Sequence, residues 1–229
     1  MFKKTILKNG LRIITFPQEN TQAVTVLVLV GAGSKYEKKE INGISHLLEH
    51  MAFRGTKKRP KTLDIAKELD RVGGLYNAFT TKELMGFWVK VDSKHFDLSC
   101  DILSDMIFNS LFQEKEIEKE KKINMYLDTP QSYVLDLWEK LLYGDQPAGW
   151  LTIGEKEIIK KISRRDILDY FKSRFGAKNT IISLAGDLKE KEAISKIKKF
   201  FGKFKKFKPL PKVPVIEEQK SQQALLQTK

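Results

Sequence analysis

Apolar positions along the chain change period several times, and each change marks an element. Residues 5–16, TILKNGLRIITF, are two β-rich runs around Asn9-Gly10, a dipeptide suited to a tight turn, and predict a hairpin. AVTVLVLVGAGS (23–34) is a continuous apolar run ended by Gly31 and Gly33, and predicts a strand buried on both faces. The spacing then becomes helical: GISHLLEHMAF (43–53) predicts one helix, and TLDIAKELDRVG (62–73) a second, capped by Thr62 and closed by Gly73 and Gly74. LYNAFTTKELMGFWVKV (75–91) predicts two strands turning near Lys82. Residues 94–109 are amphipathic, with Phe96, Leu98, Ile102, Leu103, Met106 and Ile107 on the apolar face. Residues 114–127 predict another helix, and Pro130 opens a further one through Leu142. A helix over 163–175 is capped by Ser163, NTIISLAGDL (179–188) is a strand, and 190–201 is a last helix. Early strands, long helical runs and a late return strand imply an α+β fold: a mixed, largely antiparallel sheet with helices packed on one face.

Pro209, Pro211 and Pro214 followed by EEQKSQQALLQTK have linker composition, so the expected division is a domain over 1–207 and a linker over 208–229. At 229 residues the chain can bury a full core. No apolar run reaches the length of a membrane span, and the first residues lack the apolar stretch of a secretory signal. A single cysteine, Cys100, excludes an internal disulfide framework and suits a reducing cytosol, so the expected location is cytoplasmic. The net charge of +13 raises a polyanion partner, but the lysines are mixed with glutamates, as in EKEIEKEKK (114–122), which predicts solvated helix faces and no nucleic acid. In KIKKFFGKFKKFKPLPK (196–212), Phe200, Phe201, Phe204 and Phe207 are expected to be the buried face of the last helix and its exit rather than a base-stacking platform.

The helix over 43–53 carries the chemistry. The chain has three histidines, and two of them, His46 and His50, lie four apart with Glu49 between. On a helical projection all three fall within an arc of about 100°, opposite Ile44, Leu47, Leu48 and Met51. Imidazoles one turn apart can share one Zn²⁺, whereas Glu49 is placed to take a proton from water there.

NGISHLLEHMAFRGTKKR is similar to the inverted zinc-binding helix of the pitrilysin/insulinase-type metallopeptidases, the inverzincins, which include the mitochondrial processing peptidase. GAGSKYE, GGLYNAFTTKE, DILSDMIFNSLF, DTP and NTIISLAGDL follow the family in the same order, so the resemblance covers essentially the whole chain as one family domain. It implies a zinc endopeptidase acting on extended, unstructured peptides, with His46 and His50 as ligands and Glu49 as general base. It further implies an edge strand at Asn77, Ala78 and Phe79 that pairs main chain to main chain with the peptide, and a second family domain or a partner subunit.

The match breaks at one place. The family's third zinc ligand is a glutamate just before a segment like INMYLDTP; here INMYLDTP begins at Ile123 and is preceded by Lys122. The spacing is short by about five residues, and Glu120 aligns with the family's upstream, supporting glutamate. Three readings stand. The missing residues belong to the protein but not to this sequence, which predicts a break between Lys122 and Ile123. Alternatively, the ligand has been lost and the chain is a non-catalytic paralogue that binds peptides or scaffolds a complex. In the third reading, Glu120 or Glu118 has taken the ligand role.

Overall fold

A computed structural model describes residues 1–123, 130–207, 214–217, 221 and 224. The longest apolar run becomes strand β3 (Ala23–Val30), and its burial alternates residue by residue. Val24, Val26, Val28 and Val30 are fully buried, while Leu27 and Leu29 on the other face are only half covered. The expected burial on both faces is therefore corrected, because the helices cover one face alone. Burying each valine contributes about 1.5–3 kcal/mol, enough to pin the register, since a one-residue slip would send all four to the open face.

Around β3 stand β1 (Lys3–Ile6), β2 (Arg12–Pro17), β4 (Leu75–Thr80), β5 (Met85–Asp92) and β6 (Thr180–Gly186), in the order β1-β2-β6-β3-β5-β4. Every pairing is antiparallel except β2 with β6. The α+β architecture with a mixed, mostly antiparallel sheet is as the pattern of elements implied. In the β1–β2 loop only Gly10 takes a positive φ, of 93°, which glycine adopts without steric cost.

Among the described residues the α-helices are α1 (Ile44–Met51), α2 (Thr62–Asp70), α3 (Phe96–Asn109), α4 (Glu114–Ile123), α5 (Pro130–Tyr143), α6 (Lys156–Ile159), α7 (Arg164–Arg174) and α8 (Glu190–Phe201). α3 lies on β3 and β5, α8 on β2 and α3, and α1 on β4 and α4. Ser163 caps α7 as expected, its hydroxyl accepting the Asp166 N–H. Thr62 does not cap α2: the N-cap is Lys61, whose N–H is accepted by the Asp64 carboxylate at 2.9 Å. Phe201 and Phe204 are buried and pack on Phe108, and the Phe207 ring occupies the space beside Gly176, so these aromatics face inward. The region expected to be a helix through 127 is described only to Ile123, and most of 208–229 lies outside the described residues.

Candidate metal centre

α1 is two turns long and amphipathic: Ile44, Leu47, Leu48 and Met51 are buried in the core, which aims the opposite face at α4 and β4. There the Nε2 atoms of His46 and His50 approach to 3.3 Å. Two Zn–N bonds of about 2.0–2.1 Å at a tetrahedral angle set their nitrogens about 3.3–3.4 Å apart, so this pair has the bite of a shared zinc. Nδ1 of His50 meets Oε2 of Glu120 at 2.8 Å. Glu120 is buried and also paired with Arg54. Burial would raise the Glu120 carboxyl, but the bond from His50 and the Arg54 guanidinium outweigh it and hold it below the usual range. An ionised carboxylate at Nδ1 requires the proton there, which leaves the His50 Nε2 lone pair free for a metal. Nδ1 of His46 is buried without a hydrogen-bond partner among the described residues. Burial, with the neighbouring His50 ring as a lesser cause, pushes the His46 imidazole down to about 4 and keeps it neutral, the form that ligates.

Glu49 lies on the same helix and is tied to the sheet, its Oε2 accepting from the Thr80 hydroxyl at 2.5 Å. Burial raises its carboxyl, with the Thr80 bond and then the neighbouring His50 opposing. Thr80 is the last residue of β4, an outer strand bonded, among the described residues, to β5 alone. Asn77 and Phe79 are exposed on that strand and Ala78 is half-buried, so the three residues expected to pair with a peptide sit on a free edge. Phe53 packs on Tyr76 at 6.0 Å between ring centroids, a second tie between the end of α1 and this strand.

α4 holds Lys122 and Ile123 at consecutive helical positions, and the sequence is continuous there. Glu120 stands behind His50, on Nδ1 rather than at the Nε2 pair, and the Glu118 carboxylate bonds Lys121. Among the described residues no group of three or more His, Cys, Asp and Glu converges as a metal cage. The described residues thus fit two ligands of a zinc site and not a complete set of three.

Sequence reasoning missed Thr80 and Arg54. Arg54 stands one turn after His50, where i,i+4 spacing gives a signal. Thr80 shares a strand face with Tyr76 and Ala78, but nothing local says that this face meets α1.

Comparisons with known proteins bear on the family and the fold. The family described as Insulinase (Peptidase family M16) matches residues 12–155, and the one described as Peptidase M16 inactive domain matches residues 161–228. β6, inside the second match, is inserted between β2 and β3 of the first. The chain is 36% identical over 209 residues to the uncharacterized zinc protease YmxG of Bacillus subtilis, covering 89% of this chain and 51% of that protein. It is 35% identical over 203 residues to the mitochondrial-processing peptidase subunit beta of Rattus norvegicus, covering 86% of this chain and 41% of that one. A protease from Helicobacter pylori shares the fold with a TM-score of 0.79 at 24% identity, over 95% of this chain and 54% of that chain. So does the first half of the periplasmic protease PqqL from Escherichia coli, with 0.83 at 19%, over 95% and 49%. The chain spans about half the length of these relatives or less.

Proposed function

The chain belongs to the insulinase family of peptidases, M16, and on that membership we propose that it is the zinc-binding part of an endopeptidase for extended, unstructured peptides. The observation that carries this is the approach of His46 Nε2 to His50 Nε2 at 3.3 Å, with the Nδ1 of His50 anchored by Glu120. His46 and His50 would hold the zinc, and Glu120 and Arg54 would keep the His50 ring in its ligating tautomer. Zinc, when bound, supplies Lewis acidity that polarises a peptide carbonyl and acidifies water. The Glu49 carboxylate serves as general base: Thr80 holds Oε2, Oε1 accepts the proton, and its raised pKa suits the later return of that proton to the leaving amine. The peptide lies along β4, bonded to the main chain of Asn77, Ala78 and Phe79, which selects for extended chains with little regard to sequence.

A second reading is favoured by the lack of a third ligand among the described residues. Removing about five residues from a helix turns its remaining part by about 140° net and draws it back by about 7.5 Å, which displaces a ligand from its site. By itself the chain is then a non-catalytic peptide binder with a weak two-histidine zinc site. It becomes an endopeptidase only where a further carboxylate completes the set. In either form the proposal places a peptidase domain at 1–207 and a linker at 208–229 leading to a second family domain or a partner subunit. The proposed location is cytoplasmic, on the ground that the sequence holds a single cysteine, Cys100. Among the described residues no helix is long and apolar enough to cross a membrane.

The test is zinc content together with cleavage of a quenched, unstructured peptide. Parent protein should bind one zinc that His46→Ala and His50→Ala each lower to less than about half; unchanged zinc in both variants ends the metal reading. Bound zinc with peptide binding and no cleavage assigns the chain to the non-catalytic reading. Where cleavage is measured, Glu49→Gln should keep the metal and lose about 10²–10⁴-fold in rate.

A further inference from the structure

α1 begins without a cap of its own. Its N-cap position is Gly43, which has no side chain to accept the first amide bonds. No other residue fits there: φ is 93°, and a Cβ would lie 2.6 Å from the Ile153 carbonyl oxygen and 2.7 Å from the Gly154 Cα. The missing acceptor comes from six residues upstream. Glu37, 3% exposed, spreads its carboxylate across the start of α1. Oε1 accepts the Ser45 N–H at 2.8 Å, and Oε2 accepts the Gly43 N–H at 2.7 Å and the Asn42 side-chain amide at 2.9 Å. The Ser45 amide is the second of the helix, the donor that an N-cap side chain ordinarily receives. The same Asn42 amide also donates to the Leu151 carbonyl at 3.1 Å, and the Ser45 hydroxyl lies 2.7 Å from the Tyr170 hydroxyl on α7. A buried carboxylate is costly on its own, and here burial raises its pKa. These donors and the positive end of the helix dipole offset that cost.

We infer that Glu37 is a positioning residue for the metal-bearing helix, acting as a remote N-cap that holds the first turn of α1 and with it the ring of His46. The consequence is asymmetric. His46 follows Ser45 directly in that first turn, whereas His50 stands a turn later and is held separately by Glu120. Loss of the cap should release His46 and leave His50 in place, opening the 3.3 Å approach of the two Nε2 atoms. The inference rests on the reading of His46 and His50 as metal ligands, and its test separates the two.

Co²⁺ is titrated spectroscopically into the parent and into Glu37→Gln, which keeps the size but turns one acceptor oxygen into a donor facing N–H groups. Affinity should fall by about 10–100-fold. In a His46→Ala background the same change should cost less than about twofold, because the ring it positions is gone. Amide exchange at Ser45 and Leu47 should quicken by about tenfold or more while β3 is unaffected. A folded Glu37→Gln protein that binds Co²⁺ like the parent overturns the inference and leaves the metal reading intact. If the parent binds no Co²⁺, the metal reading fails. The exchange comparison then still decides the cap: faster exchange confined to the first turn upholds it, and unchanged exchange overturns it. Should the glutamine variant not fold, Glu37→Asp keeps the charge but stops one methylene short. Lower affinity with local loosening supports the inference, and parental behaviour overturns it.

Discussion

At the residue scale the site is a set of hydrogen bonds that decide which imidazole nitrogen faces a metal. Glu120 does not stand at the Nε2 pair, yet it fixes His50 by accepting from Nδ1 at 2.8 Å. Glu120→Gln keeps the shape but weakens this charge-assisted bond and leaves Arg54 without its buried counter-charge. Zinc affinity should drop by about 10–100-fold, read by competition with a chelator; parental affinity would show that the carboxylate is only structural. His46, His50 and Glu49 were legible in the sequence because helix geometry alone puts i, i+3 and i+4 on one face. Thr80 and Glu37 were not, because their partners lie 31 and 8 residues away and are set by how a strand and a loop pack on α1.

At the scale of elements, α1 depends on where its backbone is allowed to run. Gly43 and Gly154 bring two chain segments to backbone contact: a Cβ on Gly154 would lie 2.4 Å from the Asn42 carbonyl oxygen. Gly43→Ala adds the strain of a positive φ to a clash with backbone that cannot swing aside. Stability should fall by about 2 kcal/mol or more, measured as a lower urea midpoint with an unchanged slope. A shift near zero would mean that the 151–154 loop yields easily. The strands illustrate a related point. The run over 23–34 declared β3 through its β-branched residues, but a continuous apolar run is compatible with one buried face or two. Only the placement of α3 and α8 on the same side settles which.

Across the whole molecule, Arg59 ties three parts together. Its guanidinium reaches Asp105 at 3.2 Å and Asp101 at 2.9 Å on α3, and Glu68 at 2.7 Å on α2, from the loop after α1. Arg59 and Asp105 are both buried, so truncating the arginine strands a carboxylate in the interior. Arg59→Ala should cost about 3–5 kcal/mol, visible in chemical denaturation; a cost under about 1 kcal/mol would class the cluster with ordinary surface pairs. The cluster also helps to hold the FRGTKKRP segment after the histidines, beside its single β-bridge from Thr56 to Ser110: the Thr56 hydroxyl and the Arg59 side chain both bond Asp105.

By itself the sequence determined the features that short-range geometry controls: the existence of β3, the apolar and polar faces of α1, the Ser163 cap and the turn between β4 and β5. It also determined the lack of a glutamate before Ile123, because that is a matter of residue identity and spacing. Tertiary structure alone decided the rest. It inserted β6, from the far end of the chain, between β2 and β3, and left β4 on an open edge beside the histidines. It also brought the Glu120 carboxylate of α4 onto Nδ1 of His50. Pairing partners distant in sequence, a shared helix-covered face and a buried carboxylate that caps a helix from another segment depend on how the core closes, and no local period encodes them.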